Sequence, residues 1–173
     1  NSHLIILAKN ENGRKAINRV LSEANVTGYY YKARVDLELL FTLPKDDVWL
    51  TSACLGGIWK YENHEEIFSQ IISYFGENFF FEVQTHPVEQ QKEINRKVLE
   101  LSKKYNVKYM AGMDSHIIYP EQKKDRDEYL KSRGIVYEDE SGWLVDFPSY
   151  EVAFSRFQEQ GILSDDEIEI ALQ

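Results

Sequence analysis

Two kinds of hydrophobic spacing alternate along most of the chain. Short, uninterrupted apolar runs are typical of buried strands. Each is followed by a segment in which apolar residues recur every three or four positions, as on one face of a helix. The predicted strands are residues 4–8, 48–51, 79–85 and 109–113. The predicted helices between them follow Asn10, Asp36, Asn63 and Pro87.

The last third of the chain predicts mainly helices, marked by their capping residues. Ser149 is a suitable N-cap, and Ser164 with Glu167 has the spacing of a capping box. The predicted elements here are a helix over 120–134, strand-like pieces at 135–137 and 143–145 around a turn at 141–142, and two helices that begin after Ser149 and Ser164.

Strands that alternate with helices indicate βαβ units, so we predict an α/β fold with a parallel sheet. In such sheets, ligands and catalytic groups gather beyond the carboxyl ends of the strands. No internal repeat or low-complexity linker divides the sequence. We therefore expect residues 1–173 to form a single domain or a large part of one.

Composition and charge narrow the classes of function. The chain is 43% hydrophobic and 28% charged, as expected for a globular protein, and no apolar run is long enough to span a bilayer. A net charge of −9 argues against a surface that binds nucleic acid phosphates through its own charge alone. The single cysteine, Cys54, excludes an internal disulfide and fits a reducing cytoplasm.

Residues able to bind metal fall at the ends of the predicted strands. Cys54, His86 and the pair Asp114 and His116 each follow a strand, and His3 begins one. Side chains of these types suit zinc or manganese. Each residue also has a purely structural interpretation. Cys54 can be a small buried hydrophobe, His86 a turn residue before proline, and Asp114 the N-cap of the next helix.

Five short segments, taken in order, resemble the PHP (polymerase and histidinol phosphatase) domain of the alpha subunit of bacterial replicative DNA polymerase III. The resemblance extends over nearly the whole chain, and the ordered agreement is more specific than any one motif. The segments are His3-Leu4-Ile5-Ile6-Leu7-Ala8-Lys9-Asn10, residues 28–36 (GYYYKARVD), Ser52-Ala53-Cys54-Leu55, residues 81–86 (FEVQTH) and Met113-Asp114-Ser115-His116.

The resemblance implies a partial (β/α)7-type barrel over residues 1–147, followed by C-terminal helices over 148–173. It also implies that His3, Cys54, Asp114 and His116 belong to a trinuclear metal cluster, with His86 a further candidate ligand. The family's opening His-x-His motif and a second His/Glu group have no counterpart in the sequence. We therefore expect the chain to be the later part of the domain.

The implied parent function is DNA-directed DNA synthesis during replication in the cytoplasm. The partners expected are the remaining polymerase domains and, through them, DNA, with no membrane. Within the parent, this domain is expected to be a zinc- or manganese-dependent 3′–5′ exonuclease or pyrophosphatase, or a structural remnant of one. The fragment alone is expected to be inactive. Two alternatives are a stand-alone PHP phosphoesterase and a non-catalytic scaffold module.

Overall fold

The computed structural model describes residues 2–135 and 142–173 and divides the chain into two compact units. The first unit comprises Asn1–Phe81 and Leu101–Lys108, and the second comprises Glu82–Glu100 and Tyr109–Gln173. The strands are β1 (Ile5–Ala8), β2 (Val48–Thr51), β3 (Phe79–Val83) and β4 (Tyr109–Ala111). The helices are α1 (Glu11–Val26), α2 (Leu37–Leu40), α3 (His64–Phe75), α4 (Glu89–Tyr105), α5 (Lys123–Ser132), α6 (Tyr150–Gln160) and α7 (Asp165–Leu172).

The strands form one sheet in the order β1-β2-β3-β4, which confirms the α/β class. β2 and β3 are parallel, with Leu50 opposite Phe79. Between β3 and β4, the Phe81 N–H donates to the Lys108 carbonyl at 3.0 Å, and the Gly112 N–H donates to the Val83 carbonyl at 2.9 Å. The described residues form a sheet of four strands, so the structure does not confirm a full seven-stranded barrel.

The prediction that all strands are parallel is wrong for β1, which pairs antiparallel with β2. Ala8 ends β1 directly opposite Val48, which begins β2. The connection between them leaves and returns at the same end of the pair, and the Lys9 N–H donates to the Asp47 carbonyl at 2.8 Å. A helical connection predicts a parallel crossover only when the chain returns at the opposite end.

The expectation that β1 is buried is also wrong. Ile5 is 41% exposed and Leu7 is 46% exposed, and Trp49, opposite Leu7 on β2, is 43% exposed. Among the described residues, β1 has β2 as its only strand neighbour and so lies at the edge of the sheet. An apolar run therefore identified the strand correctly but not its burial, which depends on what packs against it.

An aromatic cluster forms the core of the first unit. The Phe68 side chain is fully buried on α3, with its ring centroid 4.5 Å from that of Trp59. The ring centroids of Phe79 and Phe81 lie 5.9 and 5.2 Å, respectively, from that of Phe68. Phe68 and Phe81 are perpendicular at 81°, a favoured edge-to-face arrangement. This cluster packs α3 against β3.

In the second unit, the capping predictions are confirmed. The Ser149 side chain accepts from the Val152 N–H at the start of α6, and Ser164 and Glu167 form a capping box at the start of α7. The prediction of a strand-like piece at 143–145 is wrong, because those residues form no regular secondary structure. The N–H groups of His116 and Ile117 both donate to the Val145 carbonyl. In a β-ladder, by contrast, consecutive N–H groups of a strand do not bond to the same carbonyl of the neighbouring strand.

The strand-like piece predicted at 135–137 and the turn at 141–142 lie largely outside the residues that the structure describes. Across residues 2–135 and 142–173, no helix combines the length and apolarity that crossing a membrane requires.

Candidate metal centre

His3 and Cys54 form a pair in the first unit. His3 precedes β1 and Cys54 follows β2, so the antiparallel register brings the two residues to the same end of the strand pair. The His3 N–H donates to the Gly56 carbonyl at 2.9 Å and extends the pairing beyond the ladder. The His3 Nδ1 atom lies 3.6 Å from the Cys54 Sγ atom.

The turn after β2 is shaped to allow this approach. Ala53 has a φ of 56°, in the left-handed region, and the Gly57 N–H donates to the Cys54 carbonyl at 2.7 Å. A Cβ on Gly56 would lie 3.0 Å from His3 Nδ1, and one on Gly57 would lie 2.6 Å from the Ser52 carbonyl oxygen. The two glycines therefore leave room for the imidazole and for the tight turn that presents the thiol.

Asp114 and His116 form a second pair, in the second unit. The Asp114 Oδ1 atom lies 3.5 Å from the His116 Nε2 atom. An extended chain would place both side chains on one face, but Asp114 has a φ of 46° and is not extended. The backbone is held after this bend, where the His116 N–H donates to the Val145 carbonyl at 2.7 Å and the Ser115 hydroxyl donates to the Asp146 carbonyl at 2.8 Å.

His86 lies in the second unit and is almost completely buried, with 1% of its surface exposed. Its Nδ1 atom accepts the Leu144 N–H at 3.2 Å, and its ring centroid lies 4.9 Å from that of Trp143. Its Nε2 atom faces Asp114 Oδ2 at 3.8 Å and has no hydrogen-bond partner among the described residues. The structure therefore places His86 beside the pair of Asp114 and His116.

The donor spacing of both pairs fits a tetrahedral zinc ion. With Zn–S of about 2.3 Å and Zn–N of about 2.0 Å, a sulfur and a nitrogen on one ion lie about 3.6 Å apart. Nitrogen and oxygen ligands on one ion lie about 3.3 Å apart. The observed 3.6 Å for His3 and Cys54, and 3.5 Å for Asp114 and His116, are close to these values. Within residues 2–135 and 142–173, no group of three or more candidate ligands is found.

A buried amide network behind His86 was missed by the sequence reasoning. The Asn95 side chain accepts the Gln84 N–H at 3.2 Å and donates to the Gln84 carbonyl at 2.9 Å. The Gln160 side chain donates to the Gln84 carbonyl at 3.1 Å and to the His86 carbonyl at 2.8 Å. The available signal was the spacing of Gln91 and Asn95, which are one helical turn apart on the buried stripe of α4.

Comparison with known proteins identifies the family. Residues 1–86, which include three of the candidate ligands, match the family model of the PHP domain. The chain is 35% identical over 130 residues to the DNA polymerase III subunit alpha of Aquifex aeolicus (strain VF5), covering 71% of this chain. It is 30% identical over 132 residues to that of Borreliella burgdorferi and 35% identical over 128 residues to that of Treponema pallidum, covering 72% and 69% of this chain.

The chain spans 11% of the length of each of these three relatives, which are therefore much longer proteins. The matched region includes the His3 and Cys54 pair, and the family is the one that the five sequence segments indicated. This chain is a homologue of the PHP region of the bacterial DNA polymerase III alpha subunit.

Proposed function

We propose that this chain is the PHP segment of a bacterial replicative DNA polymerase. Its relatives carry the corresponding region as about a tenth of a larger alpha subunit. DNA synthesis is then the task of the parent protein, and the partners of this segment are the other polymerase domains and, through them, DNA. The expected location is the cytoplasm, which suits a chain with one cysteine thiol.

Within that role, we infer that His3 with Cys54, and Asp114 with His116, are ligand pairs for zinc or manganese. The donor spacing within each pair is the observation that supports this proposal. Cys54 and Asp114 would supply the anionic ligands, and the two histidines would supply neutral nitrogens. A divalent ion held there would provide the Lewis acidity needed for phosphate ester hydrolysis, as in a 3′–5′ exonuclease or a pyrophosphatase.

The charge of the chain is compatible with this proposal. A net charge of −9 repels a polyanion on average, so an unassisted acidic surface is a poor site for DNA. Bound cations reverse the local sign of the field, and they are the largest charges in a site of this kind. Metal held at these pairs would therefore supply the local positive charge for a contact with phosphate.

Metal binding tests the proposal most simply. The purified chain is equilibrated with zinc or manganese, freed of unbound metal by gel filtration, and analysed for bound metal by mass spectrometry. We expect the wild-type chain to retain metal, and the Cys54→Ser and Asp114→Asn variants each to retain less. The matched control is His64→Gln, which removes a histidine that bonds locally to the Tyr61 carbonyl.

A second assay uses the full-length parent protein, because the fragment alone is expected to be inactive, and follows the release of nucleotides from a primer strand labelled at its 3′ end, with zinc or manganese added. Metal-dependent release that is lost in Asp114→Asn supports the exonuclease. The absence of both bound metal and nucleotide release contradicts the metal site and leaves the scaffold as the function. Hydrolysis of a small phosphate monoester without action on the primer favours the stand-alone phosphoesterase instead.

A further inference from the structure

His86 is held in place from three sides, all within the second unit. Its backbone carbonyl accepts from the Gln160 side chain at 2.8 Å, and its ring Nδ1 accepts from the Leu144 N–H at 3.2 Å. One face of the ring lies against Trp143, with an interplanar angle of 32°. A side chain fixed in this way points its remaining nitrogen, Nε2, in a defined direction.

The hydrogen bond from Leu144 determines which ring nitrogen of the neutral imidazole carries the proton. A backbone N–H is always a donor, so Nδ1 must offer a lone pair to it. The proton of the neutral ring therefore lies on Nε2. A ring nitrogen that carries a proton does not coordinate a metal, and ligand histidines normally show the opposite pattern, donating from the nitrogen that is not on the metal. The geometry therefore favours a donor role for His86 over a ligand role.

The Nε2–H group of His86 faces a carboxylate. Asp114 Oδ2 lies 3.8 Å away, while the other oxygen of the same carboxylate, Oδ1, lies 3.5 Å from His116 Nε2. A buried N–H with no acceptor is destabilising, so a bond to this carboxylate is favourable. A movement of about 0.8 Å would bring the two atoms to an ordinary N–H···O distance of about 3.0 Å.

We propose that His86 is a positioning residue that donates its Nε2–H to Oδ2 of Asp114 and thereby directs Oδ1 toward the metal-binding side, beside His116. This inference rests on the proposed metal site for its consequence, but its geometry concerns His86 alone. The amide network of Asn95 and Gln160 supports it, because both side chains hold the backbone of 84–86 in the buried interior. A donor preorganised in this way loses little entropy when it binds the carboxylate.

Nuclear magnetic resonance tests the proton position without any metal. In the chain labelled with ¹⁵N-histidine at pH 8, long-range ¹H–¹⁵N spectra distinguish protonated from unprotonated ring nitrogens. The signals of His86 are assigned by their loss in His86→Gln. We expect a protonated Nε2 and an unprotonated Nδ1. The reverse tautomer overturns the proposal.

Zinc affinity tests the consequence for Asp114. We expect His86→Ala to weaken zinc binding by about 10–100-fold, the usual effect of removing a residue that orients a ligand. His86→Gln keeps an amide N–H near the position of Nε2, and we expect its affinity to stay within about threefold of wild type. His64→Gln is the matched control, with unchanged affinity. Equal losses in the Gln and Ala variants overturn the donor role.

Zinc titration of the labelled chain separates this inference from the proposed function. If zinc binds and Nε2 of His86 keeps its proton, both stand. If zinc binds and Nε2 loses its proton, His86 is a ligand and the inference fails while the proposed function stands. If the chain binds no zinc, both the proposed function and the metal-directing role of His86 fail. The tautomer measured without metal still shows whether the ring of His86 is a donor.

Discussion

Replacing Gly13 with alanine tests the close contact between α1 and Asp47, the residue that immediately precedes β2. Gly13 is buried in the first turn of α1, where alanine would ordinarily stabilise the helix by about 1 kcal/mol. In this structure, an added Cβ would lie 2.1 Å from the Asp47 carbonyl oxygen and 3.0 Å from its carbonyl carbon. Both atoms belong to the backbone, so the clash cannot be relieved by a side-chain rotation.

The expected loss of stability follows from the contacts that must break when α1 moves away from Asp47. Separating α1 from Asp47 breaks the 2.8 Å hydrogen bond from the Lys9 N–H and the 2.6 Å bond from the Asn10 side chain. Each is worth about 1 kcal/mol, and overpacking adds about 1–3 kcal/mol. After the helical gain of about 1 kcal/mol is subtracted, we expect Gly13→Ala to lower the free energy of unfolding by about 2–4 kcal/mol.

Urea denaturation followed by circular dichroism measures this change, and thermal denaturation should show a Tm lower by about 4–16 °C. The control is Ser22→Ala on the exposed side of the same helix, where we expect a change of about 0.5 kcal/mol or less. The Asn10 and Asn12 side chains also hold the pKa of Asp47 below its ordinary value, and we expect this pKa to rise in the Gly13 variant. A Gly13→Ala chain as stable as wild type would refute the close contact.

Three further predictions concern the two units. Phe68→Ala removes a fully buried ring, and we expect urea denaturation to show a loss of about 3–5 kcal/mol. Asn95→Leu leaves the Gln84 N–H without its acceptor, and we expect a loss of about 1–3 kcal/mol by the same assay, with no loss contradicting the network. Hydrogen bonds from Lys104 and Tyr105 lower the pKa of Glu65. The stability that the ionised carboxylate adds is therefore fully present above its pKa in the unfolded chain, about 4.3, and is lost as the pH falls. Glu65→Gln should therefore lower Tm at pH 7 but change it less in acid, and a Tm difference independent of pH would contradict this.

Helix positions were the most predictable feature of the chain, because caps act over a few residues. Asp36, Ser149 and Ser164 all accept N–H groups at the helix starts where the sequence placed them. Strand existence was also predictable from apolar runs. The burial and direction of β1 were not, because they depend on Asp47 and on strand neighbours that are distant in sequence.

The candidate site shows the same division between local and distant information. Strand ends directed attention to His3, Cys54 and the Asp114-x-His116 pair, and the structure brings them together two by two. Metal binding by these residues stays a prediction. The environment of His86 could not be foreseen, since the N–H that fixes its ring comes from Leu144, 58 residues away.

Cobalt binding tests the metal site most directly, because a thiolate bound to Co²⁺ absorbs strongly in the near ultraviolet and reports sulfur coordination by itself. Cys54 is the only cysteine, so any such band must come from its side chain. We predict that Co²⁺ added to the chain produces this band, that Cys54→Ser abolishes it and that His64→Gln leaves it unchanged. A wild-type chain that shows no thiolate band at saturating Co²⁺ would contradict the assignment of His3 and Cys54 as a metal-ligand pair.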